Sequence, residues 1–512
     1  MNTENGNAAL YFVDRFRDGP QADKAAFEEG LAEGRSLSYQ TLAAQTDQMA
    51  ELYARHNIRP EDRAAMLVLD VIEFPVIFWG SIKAGVIPVP LNTLLSTDIY
   101  DAILRDCRAR ILFVSAELLD VVKDILADNP YLEQVIVVGQ SDASYPNFAG
   151  ELAASAPRPM MCASADETAF WLYSSGSTGR PKGVLHVHSS LQATADTYGA
   201  RVLAITPDDR IFSAAKLFFA YGMGNGMTFP MSVGATAILY PQRPTPEAMF
   251  AVIARTKPTI FCGVPTLYAA MLAEMDGKKP AGADVIRRSI SAGEALPADI
   301  GERWASIMGT DILDGVGSTE LLHIFLSNAP DNVVYGTSGV AVPGYAIRLV
   351  NEAGEEVAQD EIGELLVNGP SAADGYWNQR GKSRATFAGV WTHTGDKYTR
   401  RADGRLVYCG RTDDMFKVSG IWVSPFEVEQ ALASHPDVLE AAVVAAQDDE
   451  GLDKPHAFIV LKPGASGEGL PETLKQLVKQ RIGKWKYPRW IEIVDDLPKT
   501  ATGKIQRFKL RG

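Results

Sequence analysis

Cysteine is scarce in this chain. Only Cys107, Cys162, Cys262 and Cys409 occur among 512 residues, and no two form a Cys-x-x-Cys pair. That spacing excludes a disulfide framework and a cysteine-built zinc site, and predicts a protein of the reducing cytoplasm. Positive charge is short as well: 49 lysines and arginines face 63 aspartates and glutamates, a net charge of −14, with no long basic block. Nucleic acid and anionic membrane are thereby excluded as main partners, and a polyanionic ligand must be met by local donors. The first residues, Met1 to Asp14, lack the basic-then-apolar order of a signal peptide. One long uncharged stretch, Leu217–Gln242, is interrupted by Asn225, prolines and glycines. It predicts a buried, irregular pocket wall rather than a membrane span. Neither a Gly-x-Ser-x-Gly nucleophile elbow nor an HExxH zinc helix occurs.

What is present is an ordinary globular composition, 46% apolar and 22% charged, on a chain too long for one core. Two to four domains or subdomains are expected. Short apolar runs at Ala64–Leu69, Val86–Val89, Ile111–Val114, Gln134–Val138, Ala235–Leu239 and Thr259–Val264 read as buried parallel strands. Helical patterns lie between them, at Tyr39–His56, Thr97–Cys107 and, opened by Pro265, through Glu274. This alternation predicts an α/β fold with two sheets covered on both faces. From about residue 335 shorter strands (Ala346–Val350, Gly363–Val367, Leu406–Cys409) alternate with turns, predicting a small β-rich subdomain. A fresh pattern follows Arg411: helices at Pro425–Ser434 and Leu470–Ile482, strands at Glu440–Ala446, His456–Leu461 and Trp490–Val494. That is enough for a separate α+β domain. The expected division is an N-terminal domain over 1–411, a hinge at 412–414 and a small mobile domain over 415–512.

Five clusters carry chemistry. Residues 173–183 read Tyr-Ser-Ser-Gly-Ser-Thr-Gly-Arg-Pro-Lys-Gly. Its glycines let amide groups converge on an anion, its hydroxyls add donors, and Lys182 adds a compact charge, so it suits a polyphosphate. It is not a Walker A loop, because Gly183 rather than Ser or Thr follows Lys182. The run Asp314-Gly-Val-Gly-Ser-Thr-Glu320 offers glycines for close approach and a carboxylate suited to magnesium beside a phosphate. Trp391-Thr-His-Thr-Gly-Asp396 places a carboxylate where it can accept from a ribose diol, and Gly410–Gly420 joins Arg411 to the acidic pair Asp413-Asp414. Near the end, Leu497-Pro-Lys-Thr-Ala-Thr-Gly-Lys-Ile-Gln-Arg507 sets Lys504 after a Thr-Gly turn. Taken singly, most of these also read as surface turns or solvated charges.

In this order and spacing the clusters resemble the core motifs of the adenylate-forming superfamily of acyl-CoA synthetases, adenylation domains and luciferases. The resemblance covers about Tyr39 to Arg511. Lys216-Leu-Phe-Phe-Ala-Tyr-Gly222, Gly317–Asn328 and Lys486-Tyr-Pro-Arg-Trp490 further resemble the benzoate–CoA ligase branch. The resemblance implies ATP- and magnesium-dependent activation of a carboxylate as acyl-AMP, with pyrophosphate released, then acyl transfer to CoA. It implies phosphate contacts from Ser174, Ser175, Gly176, Ser177, Thr178, Gly179 and Lys182, and an adenine wall of Gly293, Glu294, Ala295, Asp314 and Gly315. Thr319 would touch the α-phosphate, Glu320 would bind magnesium, and Asp396 and Arg411 would take the ribose. Lys504, with Thr178 and Lys182, would carry catalysis by orienting charge as two anions meet.

The same resemblance implies a C-terminal domain that rotates about Asp413, withdrawing Lys504 and presenting Gly420 to the pantetheine arm, with Lys486 and Arg489 toward CoA phosphates. The acyl pocket would be Phe219, Ala220, Tyr221, Gly222, Cys262, Gly317, Leu322, His323 and Ile324, a slot for one ring. Cys262 departs from the bulky aromatic of relatives and leaves room for a ring substituent. Benzoate is the first expectation, with anthranilate or a hydroxybenzoate beside it, and the protein is expected as a monomer or homodimer. A stand-alone aryl-adenylating enzyme loading a carrier protein and a silent nucleotide-binding homologue are the rival readings.

Overall fold

The structure is a computed structural model. It describes residues 5–140, 144–175, 181–418, 421–449, 451–499 and 505–511. Gly176, Ser177, Thr178, Gly179, Gly420 and Lys504 lie outside the described residues. Two compact units divide the chain: Met1–Ala346 with Val367–Thr392, and Ile347–Leu366 with His393–Gly512.

Two parallel sheets organise the first unit, as the apolar runs predict. In one, Ile87–Pro90, Arg63–Leu67, Ala109–Ser115 and Gln134–Val138 lie side by side in that order, all parallel. In the other, nine strands are present among the described residues. Six of them run parallel: Ile312–Gly317, Arg288–Ser291, Ile260–Gly263, Arg210–Ser213, Thr236–Leu239 and Ala25–Glu29. Antiparallel strands close both edges, Ser36–Ser38 at one end and Ile324–Ser327 then Val340–Ala341 at the other. Apolar side chains of these strands and of the elements packed on them fill two cores, one around Phe212, Phe261, Tyr268 and Trp304, the other around Leu67, Leu112, Val137 and Trp171.

Local signals set the helices on these sheets. Ser38 caps Tyr39–Arg55 by accepting from the Thr41 amide at 3.1 Å. Proline at the first turn starts Pro246–Thr256 and Pro265–Glu274, where its missing N–H is harmless. The uncharged stretch is more regular than its prolines and glycines suggest. It forms a short helix Ala220–Met223, a π turn Gly224–Thr228 and a helix Phe229–Val233 before the strand Thr236–Leu239. No helix among the described residues is long and apolar enough to cross a membrane.

The second unit holds the strands Val438–Gln447 and Asp453–Leu461, antiparallel, with Trp490–Ile493 parallel to the latter. Helices Pro425–Ala433 and Leu470–Ile482 pack on this sheet around Val428, Leu432, Val443, Ile459, Leu474 and Val478. The strands that carry Asp396 and Arg411, like residues Ile347–Leu366, group with these residues rather than with the remainder of 1–411. Packing explains the grouping: Tyr408, on the strand Leu406–Arg411, meets Phe426 of the helix edge to face, with ring centroids 5.0 Å apart.

Candidate active site

Parallel strands deliver their following loops to one sheet edge, and ligands of open α/β sheets bind there. Here the strand ends Gly263, Ser291 and Asp314 align on neighbouring strands. The Tyr221 hydroxyl reaches this edge, 3.1 Å from both the Gly263 and Ile290 carbonyl oxygens. The Asp314 carboxyl is buried there; Oδ2 accepts from the Leu296 amide at 3.4 Å, while Oδ1 has no hydrogen-bond partner among the described residues. Burial pushes its pKa up to about 8, so near pH 7 the carboxyl is mostly protonated and can donate as well as accept.

The phosphate-loop segment is not a loop throughout. Tyr173–Ser175 finish the strand Thr168–Ser175, and Pro181–Gly183 begin its antiparallel partner Pro181–Val187, with Ser174 opposite Lys182. Residues two and four apart on a strand share a face, which puts His186 on the side of Lys182. His186 stacks on Phe170 at 5.0 Å, and its Nε2 lies 2.9 Å from the Thr319 carbonyl oxygen. Burial lowers its pKa to about 4, so the imidazole is neutral near pH 7 and donates through Nε2–H. The turn carrying Thr319 and Glu320 is thereby tied to the strand carrying Lys182. Two further bonds hold it: the Ala373 amide donates to the Glu320 carbonyl at 2.8 Å, and Ser371 Oγ donates to the Leu321 carbonyl at 2.7 Å. Leu322 takes φ of 63°, a left-handed conformation that is strained for a bulky side chain.

Within this corner Lys182 Nζ lies 3.5 Å from Glu320 Oε1, and Tyr376 donates its hydroxyl to the same oxygen at 2.9 Å. Burial pushes the Glu320 carboxyl up, but the Lys182 charge and the hydrogen bonds outweigh it and hold the group below the usual carboxylate range. Glu320 is therefore an anion at neutral pH, poised beside a cation.

In the second unit, Asp396 and Arg411 are direct partners across antiparallel strands. Arg411 Nη1 donates to Asp396 Oδ1 at 3.0 Å and to the Thr394 carbonyl at 2.9 Å. Gly395, beside Asp396, takes φ of 72°, and a Cβ there would stand 2.9 Å from Arg411 Nη2, so a larger residue would be strained and would displace the guanidinium. A nucleotide-sized diol would meet a fixed acceptor and a fixed fork of donors.

Comparison with known families decides what these corners belong to. The AMP-binding enzyme family matches residues 15–377, and the AMP-binding enzyme C-terminal domain matches residues 427–504. The chain belongs to the AMP-binding enzymes. It is 52% identical to a 4-hydroxybenzoate–CoA/benzoate–CoA ligase of Rhodopseudomonas palustris, over 100% of this chain and 95% of that protein. It is also 52% identical to a benzoate–CoA ligase of Thauera aromatica, over 99% and 96%. Among solved structures it superposes with a TM-score of 0.92 on the anthranilate CoA ligase AuaEII in complex with anthranoyl-AMP. There, identity is 40%, covering 98% of this chain and 96% of that one.

The residues expected to form the acyl pocket separate into two degrees of burial. Phe219, Ala220, Tyr221 and Gly317 retain solvent exposure, whereas Gly222, Cys262, Leu322, His323 and Ile324 are buried. His323 sits among the rings of Tyr198, Tyr221 and Phe229, with centroids 5.4, 5.8 and 4.5 Å away. Its Nε2 and the Asn225 side-chain amide both face the Tyr221 carbonyl, at 3.3 and 3.1 Å. Burial lowers the His323 pKa to about 3, leaving a neutral ring that supports the wall rather than charges it. Gly224 makes this possible, since a Cβ there would stand 2.3 Å from His323 Cδ2. Gly224→Ala is expected to destabilise the protein by about 1–3 kcal/mol through overpacking, read as a lowered denaturant midpoint.

Of the residues assigned to CoA, Lys486 pairs with Glu427 at 2.5 Å and the Arg489 guanidinium lies 3.8 Å from the centre of the Tyr487 ring. Asp413 offers its carbonyl to Arg511 Nη2 at 3.1 Å. Gly293 stands exposed with φ of 98°, and Glu294 and Ala295 follow it beside Leu296, whose amide meets Asp314. Tyr376 and His186 escaped the motif reading. Strand alternation could have found His186. No local spacing marks Tyr376, which lies 194 residues from Lys182.

Proposed function

We propose that the protein is an AMP-forming aryl carboxylate–CoA ligase. It would join ATP and benzoate or a substituted benzoate to give aryl-AMP and pyrophosphate, then pass the aryl group to CoA. The carrying observation is the corner where ionised Glu320 and Lys182 stand 3.5 Å apart, in a family member 52% identical over its full length to benzoate–CoA ligases. A carboxylate cannot expel oxide, so the chemistry needs a mixed anhydride and phosphate positioning rather than a side-chain nucleophile.

In this reading Lys182, with Ser174, Ser175, Thr178 and the glycines of 176–179, holds the β- and γ-phosphates. Thr319 meets the α-phosphate, and Asp396 and Arg411 take the ribose. The unpaired Asp314 Oδ1 suits the amino group of adenine, with Gly293–Ala295 and Gly315 beside it. Lys504 guides the carboxylate onto the α-phosphate. Lys486, Arg489 and Gly420 serve CoA, and 412–414 is the hinge.

Glu320 fits magnesium: it is a single ionised carboxylate beside a phosphate-seeking lysine, and magnesium takes one or two carboxylates plus phosphate oxygens. No group of three or more His, Cys, Asp or Glu able to hold an ion occurs among the described residues, which suits a metal that arrives with the nucleotide. When bound, magnesium would neutralise phosphate charge.

In this reading the partly exposed Phe219, Ala220 and Tyr221 face the aromatic ring of the acid. The buried Cys262 leaves a small side chain where a ring substituent could press. Carboxylate-dependent exchange of labelled pyrophosphate into ATP, over benzoate, 2-aminobenzoate and the hydroxybenzoates, tests the reading. Exchange with at least one acid, and AMP rather than ADP on adding CoA, is expected. Silence across the whole panel would sink it.

A further inference from the structure

Lys182, Glu320 and Thr386 all meet the Tyr376 hydroxyl, Thr386 through Oγ1 at 3.4 Å. Lys182 Nζ lies 3.3 Å from its hydroxyl and 4.4 Å from its ring centre, and the hydroxyl reaches Glu320 Oε1 at 2.9 Å. Chemistry orders these bonds. An ammonium only donates and an ionised carboxylate only accepts, so Lys182 donates to the phenol oxygen and the phenol donates to Glu320. The ring face adds a cation–π attraction for the same ammonium.

Tyr376 is itself firmly placed. It is 7% exposed, pairs antiparallel with Val184 on the strand that bears Lys182, and packs against Phe387 at 5.4 Å. Its amide donates to Ser383 Oγ at 3.0 Å, and the next amide, of Trp377, donates to the Gly183 carbonyl at 2.8 Å. The side chain therefore has the same strand ladder as its reference frame as Lys182 does.

A lysine and a glutamate left to themselves close to a charge-assisted contact of about 2.7–2.9 Å. Here the gap is 3.5 Å, with the phenol hydroxyl bridging it. We propose that Tyr376 is the positioning residue of this phosphate and metal corner. Its hydroxyl binds Glu320 Oε1 and orients the carboxylate for a cation, while its ring face, 4.4 Å from Lys182 Nζ, holds the ammonium off a closed ion pair that an incoming nucleotide would have to break. The inference rests on the nucleotide site of the proposed function, though not on which acid is used.

Calorimetric titration with ATP, in magnesium and separately in EDTA, separates the two roles in the wild type, Tyr376→Phe and Tyr376→Leu. The phenylalanine keeps the ring face and loses the hydroxyl. Its magnesium-free ATP affinity is expected within about twofold of wild type, and its magnesium–ATP affinity about tenfold weaker, the effect of one charge-assisted hydrogen bond. The leucine, lacking ring and hydroxyl, is expected to weaken both. Thermal midpoints measured alongside identify any variant that has simply lost its fold. Wild-type magnesium–ATP affinity in Tyr376→Phe, or equal losses with and without metal, would overturn the assignment. A wild type that binds ATP yet exchanges pyrophosphate with no aromatic acid would sink the substrate reading and leave this one standing.

Discussion

Lys504→Ala is expected to slow aryl-adenylate formation by roughly 10²–10³-fold, the scale seen when one preorganised electrostatic donor is removed. Conversion of supplied aryl-AMP to the thioester by CoA should stay close to wild type. The asymmetry follows from charge. Adenylation brings a carboxylate against an α-phosphate, two anions that repel until a cation bridges them. Thioester formation starts from an anhydride in which that repulsion is already spent, so it has no comparable need. Single-turnover assays of each half-reaction measure the split. Equal loss in both would refute a lysine that serves adenylation alone.

Arg507→Ala is expected to destabilise the second unit by about 3–5 kcal/mol, the range for stranding a buried charge. Arg507 makes a two-pronged bridge to Glu429, Nε to Oε1 at 2.9 Å and Nη2 to Oε2 at 2.7 Å, and reaches Asp414 at 3.5 Å. Glu429 is 7% exposed, and besides Arg507 its Oε1 accepts from the Val443 amide at 2.8 Å. Without the guanidinium the carboxylate is left in a low-dielectric pocket, and it must take up a proton or drag in water. Replacing both residues by methionine should recover most of the loss, since a well-packed apolar pair has no charge to strand. Denaturant unfolding of the full chain reads this as a separate, earlier transition for the second unit. A single variant as stable as wild type would show that the bridge contributes nothing.

Much of the fold could be read ahead of the structure because its cues are local. Pro265–Glu274 and Leu470–Ile482 start and stop where expected, and proline occupies the first turn of each. The buried parallel strands were legible because unbroken apolar runs of four to seven residues suit a sheet covered on both faces. The π turn at Gly224–Thr228 was not, since an extra residue per turn leaves no periodic mark and its glycines read as breakers. That Tyr408 packs on Phe426, and so groups the strand Leu406–Arg411 with the second unit, left no local trace.

The sequence alone determined the chemistry on offer: Lys182, Glu320, Asp396 and Arg411 each sit in a short run of glycines and hydroxyl residues that admits a phosphate or ribose. Such requirements are met within a few residues, so they leave a local trace. Only the tertiary structure decided which groups act together. Tyr376 meets Lys182 and Glu320 because two strands pair from distant parts of the chain, and no spacing rule encodes that. It likewise decided that His323 and Cys262 are buried. Burial is a property of packed layers, and no single residue's type reveals how many layers will cover it.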